Sequence, residues 1–285
     1  MTVHDADARP GRTVETEVLA LQGTTRTRKH DEVVTEEPLE LRLVVDGATR
    51  TLAVTMRTPG NDFELAAGFV YNEAIAHKRD EIREINYCVD PAIDAEQRYN
   101  IVNVELDGRA VVPDLGRFER HFAMSSSCGV CGRAQLDSLR ELGVTPIEDD
   151  LRVPERLLYG LPGRMHEGQR IFSATGGLHG AALFNERGDA IVVREDIGRH
   201  NAVDKLVGWG LLNDRLPFTR SLMMVSGRAS YEILQKSLMA RIPIVCSVSA
   251  PSSLAVDLAR EFNLTLVGFL RDERANVYAG AHRLY

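Results

Sequence analysis

The chain has 285 residues, 44% of them hydrophobic and 26% charged, the balance of a globular protein with apolar side chains enough for a core. Its net charge of −7 argues against a broadly basic nucleic-acid surface and against a polybasic membrane anchor. No apolar run reaches the ~18 residues of a transmembrane helix, and Met1 to Arg12 lacks the apolar segment of a signal peptide, so a cytoplasmic location is expected.

Residues 1–30 are polar and rich in Thr, Arg and Asp, and they read as a flexible arm. An α+β part is expected over 31–125. Leu39–Val45 and Thr51–Met56 alternate as strands around Asp46-Gly47, a hairpin signal. Pro59-Gly60-Asn61-Asp62 then opens a helix from Phe63 to about Ile75, and strands follow at Glu84–Val89 and Asn100–Leu106.

Residues 126–142 form a loop of small residues, Cys128-Gly129-Val130-Cys131-Gly132, followed by a helix from Arg133 to Leu142. A reduced compartment makes the four cysteines thiols or ligands and not a disulfide framework. Cys131 stands just before the helix and Cys128 one small turn earlier, where free N–H groups and the macrodipole lower a thiol pKa. An accessible, reactive thiol is the leading reading. Zinc would need further ligands; a thioredoxin-like pair would follow a clear strand; two incidental small residues remain the bland alternative.

The remainder, 143–285, reads as an α/β domain that binds a cofactor. A helix is expected over Pro154–Glu167 and a hairpin at Ala181–Phe184 and Ala190–Arg194. Helices at Asn201–Leu212, Ser230–Ala240 and Ser252–Phe262 then alternate with strands at Ser221–Val225, Pro243–Val248 and Leu264–Phe269. That alternation predicts a mostly parallel sheet. Ligands bind such sheets beyond the carboxyl ends of the strands. The loops there carry Arg199, His200 and Asn201; Ser226, Gly227 and Arg228; Ser252; and Arg271 and Arg274. Arginine forks and helix starts suit a phosphorylated ligand such as a nucleotide. Gly176 and Gly177 allow close backbone approach, and His179 is a candidate acid, base or ligand. A zinc deaminase is disfavoured, because His179 is not followed by the required Glu and Cys128 is preceded by Ser127.

Taken in order, these segments resemble the formate dehydrogenase accessory sulfurtransferase family (FdhD type). The matching runs are Ser127–Gly132, Thr175–His179, Arg194–Lys205, Ser226–Arg228, Ser249–Ser253 and Gly268–Arg271. The resemblance implies a cytidine-deaminase-like, three-layer C-terminal domain with a smaller α+β N-terminal part, assembled as a homodimer. It implies that a cysteine desulfurase passes sulfur to Cys128 as a persulfide, with Cys131 beside it. Sulfur would then go to the molybdenum (or tungsten) bis(molybdopterin guanine dinucleotide) cofactor destined for formate dehydrogenase. The stretch Phe269, Leu270, Arg271, Asp272, Glu273 and Arg274 would contact that cofactor. A cofactor chaperone without sulfur chemistry and a CxxC thiol–disulfide oxidoreductase are the alternatives.

Overall fold

The computed structural model describes residues 10–107 and 132–285. The stretch expected as an arm is, from Thr13 on, a two-stranded antiparallel hairpin, β1 (Thr13–Gln22) and β2 (Thr25–Val34). Polar alternation concealed it, because neither face is covered by the rest of the chain along most of its length.

The next part is a four-stranded sheet. It comprises β3 (Glu37–Val45), β4 (Ala48–Arg57), β5 (Ile82–Tyr87) and β6 (Ile101–Leu106), in the order β4-β3-β6-β5. Asp46 and Gly47, with φ of 49° and 79°, make the tight β3–β4 turn that this dipeptide favours. Period-two alternation sends Leu39, Leu41 and Leu43 into the core. Helix α1 (Asp62–Asn72) covers that face with Leu65, Ala66 and Val70; one turn, α2 (Ala95–Arg98), precedes β6. Helix α3 (Gly132–Glu141) anchors its buried Leu139 in the same core.

The helix expected over Pro154–Glu167 is two helices, α4 (Glu155–Tyr159) and α5 (Leu161–Gly168), followed by a third, α6 (Arg170–Thr175). Gly160 closes α4, and Pro162, with no N–H to give, sits in the first turn of α5.

The C-terminal sheet has six strands. They are β7 (His179–Asn185), β8 (Ala190–Asp196), β9 (Ser221–Val225), β10 (Ile244–Ser247), β11 (Thr265–Arg271) and β12 (Arg274–Ala279). Their order is β12-β11-β10-β9-β7-β8. The expectation of a mostly parallel sheet is corrected: only β9–β10 and β10–β11 pair in parallel, and the other neighbours are antiparallel. Crossover helices α8 (Tyr231–Met239) and α9 (Ser253–Glu261) enforce the parallel block. Short turns at 186–189 and 272–273 force antiparallel neighbours on either side. Strand β12 was not foreseen.

Residues alternate across this sheet into two cores. Ala181, Leu183, Met223, Val225, Val245 and Leu266 face α7 (Arg199–Leu212), α8, α9 and the N-terminal part. Ala182, Phe184, Leu222, Met224, Ile244 and Val267 face α4 and α5. The domain is therefore three-layered. Among the described residues, no helix is long and apolar enough to cross a membrane.

Candidate functional site

Strands β8, β9, β10 and β11 end on the same edge of the sheet, where antiparallel β7 begins. His179 opens β7 opposite Asp196, the last residue of β8. Ser226 follows β9; its hydroxyl accepts from Gly180 N at 2.9 Å, and its own N–H donates to Gly180 O at 3.0 Å. This clamp lays the 226–228 turn against His179. A Cβ built on Gly227 would stand 3.4 Å from His179 Nδ1 and 3.7 Å from Arg199 Cδ. Three separate segments thus meet at one point.

The loop carrying Arg199 is held by an ion pair in the interior. Asp196 is fully buried and Lys205 is 1% exposed, with Nζ 2.6 Å from Asp196 Oδ2. Lys205 also donates to Thr58 O, and the other Asp196 oxygen accepts from Gly198 N and Asn201 Nδ2. Thr58 N donates to Asp196 as well, so the loop is tied to the N-terminal part. Glu195 accepts from Ile171 and Phe172 N–H groups and so caps α6. Asp196, Lys205 and Glu195 were not singled out from the sequence. The available signal was Asp204-Lys205, two charges inside the apolar run Ala202–Val207 of α7.

Burial, then the charges of Arg199 and His200, hold the His179 imidazole below its ordinary pKa of 6.5, against the opposing pull of Asp196. It is therefore neutral at pH 7, an acceptor or donor of one hydrogen bond at each nitrogen. Arg199 is half-buried, and its Nε has no hydrogen-bond partner. His200 faces away, with Nε2 3.1 Å from Glu232 Oε2; Ser230 donates to the same carboxylate oxygen.

Of these residues, His179 and Ser226 line a cleft of about 490 Å³. Gly176, Gly177, His179, Ser226 and Val248 line the sheet side, and Pro162, Met165, His166, Gln169 and Phe172 of the α5–α6 segment line the other. Gly176, at φ 67°, ends α6 in the left-handed conformation that glycine adopts without cost. Gly177 is close to Val34 of β2, so the base of the hairpin abuts the cleft.

The remaining sites expected from the sequence lie elsewhere. Asn201 is 7% exposed and spends its side chain on Met56 O, Asp196 and Thr55. Ser252 caps α9 by accepting from Ala255 N, the bland role of a helix-start serine. Arg228 is exposed on the 226–228 turn. Phe269 stands at φ 54° in a bulge of β11, strained backbone that re-aims the strand, and its N–H donates to Ser249 O. Leu270 is fully buried in the second core, which removes its side chain from any ligand. Arg271, Asp272, Glu273 and Arg274 are exposed at the β11–β12 turn, where Arg271 pairs with Arg274. None of the four lines the cleft. Cys128 and Cys131 lie outside the described residues. Of the other two thiols, Cys246 is fully buried, which pushes its pKa up to about 12, and Cys88 is also buried.

A family model described as FdhD/NarQ family matches residues 34–285. A sulfur carrier protein FdhD of Streptomyces avermitilis is 51% identical over 264 residues, covering 92% of each chain. One of Mycobacterium tuberculosis is 46% identical over 253 residues, covering 87% of this chain and 90% of that one. The crystal structure of a formate dehydrogenase accessory protein from Desulfotalea psychrophila superposes with a TM-score of 0.72 at 25% identity, covering 96% of this chain and all of the other.

Proposed function

Since the chain belongs to the FdhD/NarQ family of sulfur carriers associated with formate dehydrogenase maturation, we propose that it is a sulfurtransferase acting on a guanine-dinucleotide metal cofactor. The donor is a cysteine desulfurase that carries a persulfide. Cys128 thiolate attacks the outer sulfur, the S–S bond of the donor breaks, and the donor leaves as a thiolate. Cys128 then holds the persulfide. Its sulfur goes to the molybdenum bis(molybdopterin guanine dinucleotide) cofactor, here a substrate, before that cofactor enters formate dehydrogenase. Delivery as hydrosulfide needs two electrons. Cys131 supplies them by attacking the Cys128 sulfur and closing a disulfide, which a dithiol reductant reopens.

The observation that carries the ligand half of this reading is the meeting of His179, Arg199 and the Ser226–Gly227 turn at the sheet edge, beside a cleft that His179 and Ser226 line. A neutral imidazole, a guanidinium with an unused donor and a backbone turn are groups that bind a diphosphate. The exposed arginines 271 and 274, beside the strained Phe269, supply a second set of contacts for so large a molecule. The three-layer domain supports the cytidine-deaminase-like architecture, used without its zinc chemistry. A cytoplasmic homodimer completes the reading.

The test is intact-protein mass spectrometry after incubation with an active cysteine desulfurase and cysteine. The wild type gains the mass of one sulfur atom and Cys128→Ala does not. No gain in the wild type overturns the relay and leaves a cofactor chaperone as the better account.

A further inference from the structure

The β1–β2 hairpin precedes almost all of the family-matched stretch, 34–285, and most of its length is covered by nothing else in the chain. A two-stranded hairpin on its own is marginally stable in water, so strands of ten residues left uncovered call for a partner. The base is anchored: Thr35 N donates to Arg12 O at 2.9 Å, and Val34 lies against Gly177. Beyond it, the register decides what each face carries, because residues directly opposite each other share a face. One face runs from Glu15 opposite Glu32, through Glu17 opposite His30 and Leu19 opposite Arg28, to Leu21 opposite Arg26. All eight are exposed, Leu19 by 54% and Leu21 by 68%.

Charge is segregated along that face, with the carboxylates of Glu15, Glu17 and Glu32 toward the base and Arg26, Arg28 and the two leucines toward the tip. Glu15 and Glu32 are like charges directly opposite, an unfavourable pair, eased by His30 near Glu15 and by the Thr13 hydroxyl donating to Glu32. Arg28 reaches Glu17 of its own hairpin at 3.1 Å, whereas Arg26 has no ion-pair partner among the described residues. Arg26 stands about six strand residues from the Glu15 row, roughly 20 Å, too far to pair with it in the same copy. We propose that this face is the interface between two copies of the chain, their hairpins packed face to face and antiparallel about a two-fold axis. Such a contact needs a self-complementary surface. Here Arg26 and Arg28 of each copy meet the base carboxylates of the other, and Leu19 and Leu21 leave water between the sheets. On a chain of net charge −7, the basic tip is also the part that a second copy attracts. The inference rests on the homodimer reading and adds the surface that forms it. Each tip then ends beside Val34 and Gly177 of the other copy, at the margin of its cleft.

The test is sedimentation velocity of the full chain across a concentration series, in which the wild type is dimeric. Arg26→Glu and Glu15→Arg each weaken the dimer by roughly 10-fold, because the two-fold axis repeats every altered pair and turns attraction into repulsion. Mixing the two variants in equal amounts restores the wild-type affinity, since every contact in the mixed dimer again joins opposite charges. That recovery arises only from contacts between copies. Leu21→Asp weakens the dimer as well. All three positions are exposed, so the substitutions leave the fold of a single copy intact. A dimer that none of the three substitutions weakens places the interface elsewhere and overturns the proposal while leaving the homodimer reading intact. Weakened variants that do not recover on mixing overturn the antiparallel pairing. A wild type that stays monomeric at every concentration overturns both the interface and the homodimer.

Discussion

Gly68 of α1 and Gly208 of α7 face each other where the two helices cross, so closely that neither position has room for a side chain. A Cβ on Gly68 would lie 1.9 Å from Asp204 O, and one on Gly208 would lie 1.8 Å from Glu64 O. The obstacles are backbone atoms, which cannot rotate aside. This crossing joins the N-terminal sheet to the domain that carries the cleft. Gly208→Ala is therefore expected to destabilise the protein by about 2–3 kcal/mol or more, through overpacking. Thermal unfolding checks this, and a melting temperature unchanged from the wild type contradicts it.

Lys205 and Asp196 predict a second loss. Lys205→Met keeps the volume of the stem but leaves the Asp196 carboxylate buried without its cation. Removing one partner of a buried pair costs about 3–5 kcal/mol. The double variant Asp196→Asn with Lys205→Met recovers part of it, because no charge is then left unpaired. Urea unfolding of the single and double variants measures both.

His200 and Glu232 predict an acid-sensitive contribution. The hydrogen bond from His200 lowers the Glu232 carboxyl from 4.5 to about 2, with Ser230 assisting. A depressed carboxyl stabilises the fold fully above its unfolded value, and that stabilisation is lost as pH falls from about 4.5 toward 2. Half of the Glu232 side chain is exposed (52%), so solvent screens the effect and keeps it small. Glu232→Gln should flatten the stability profile across that interval while changing little at pH 7, as read by thermal unfolding at stepped pH.

His179 predicts a loss of the same sign in a higher pH window. Its pKa is lowered on folding, first by burial and then by Arg199 and His200, so the unfolded chain binds the proton more readily. Its contribution to stability therefore declines as pH drops below about 6.5, the unfolded value. Nitrogen-resolved NMR titration should place the His179 midpoint below that of an exposed histidine. Arg199→Gln should raise it, since a positive neighbour is gone; a midpoint that moves down refutes the electrostatic link between the two.

Local chemistry was legible in the sequence. Asp46-Gly47 announced its hairpin, Ser221–Val225 its strand, and the glycine, serine and arginine clusters their place at the strand ends, because turn conformation and period-two burial are properties of a few adjacent residues. Only the tertiary structure decided which of those loops share a cleft. It brought Gly176, Gly177, His179, Arg199 and Gly227 together, left Arg271 and Arg274 on a hairpin tip, and buried Leu270. It also supplied the wall at Phe172 and the Asp196–Lys205 pair under the loop. Those partners are set by strand order and helix packing, which are non-local. The exposed β1–β2 hairpin escaped for the converse reason: backbone pairing holds it, and its side chains carry little of the burial pattern from which a strand is read.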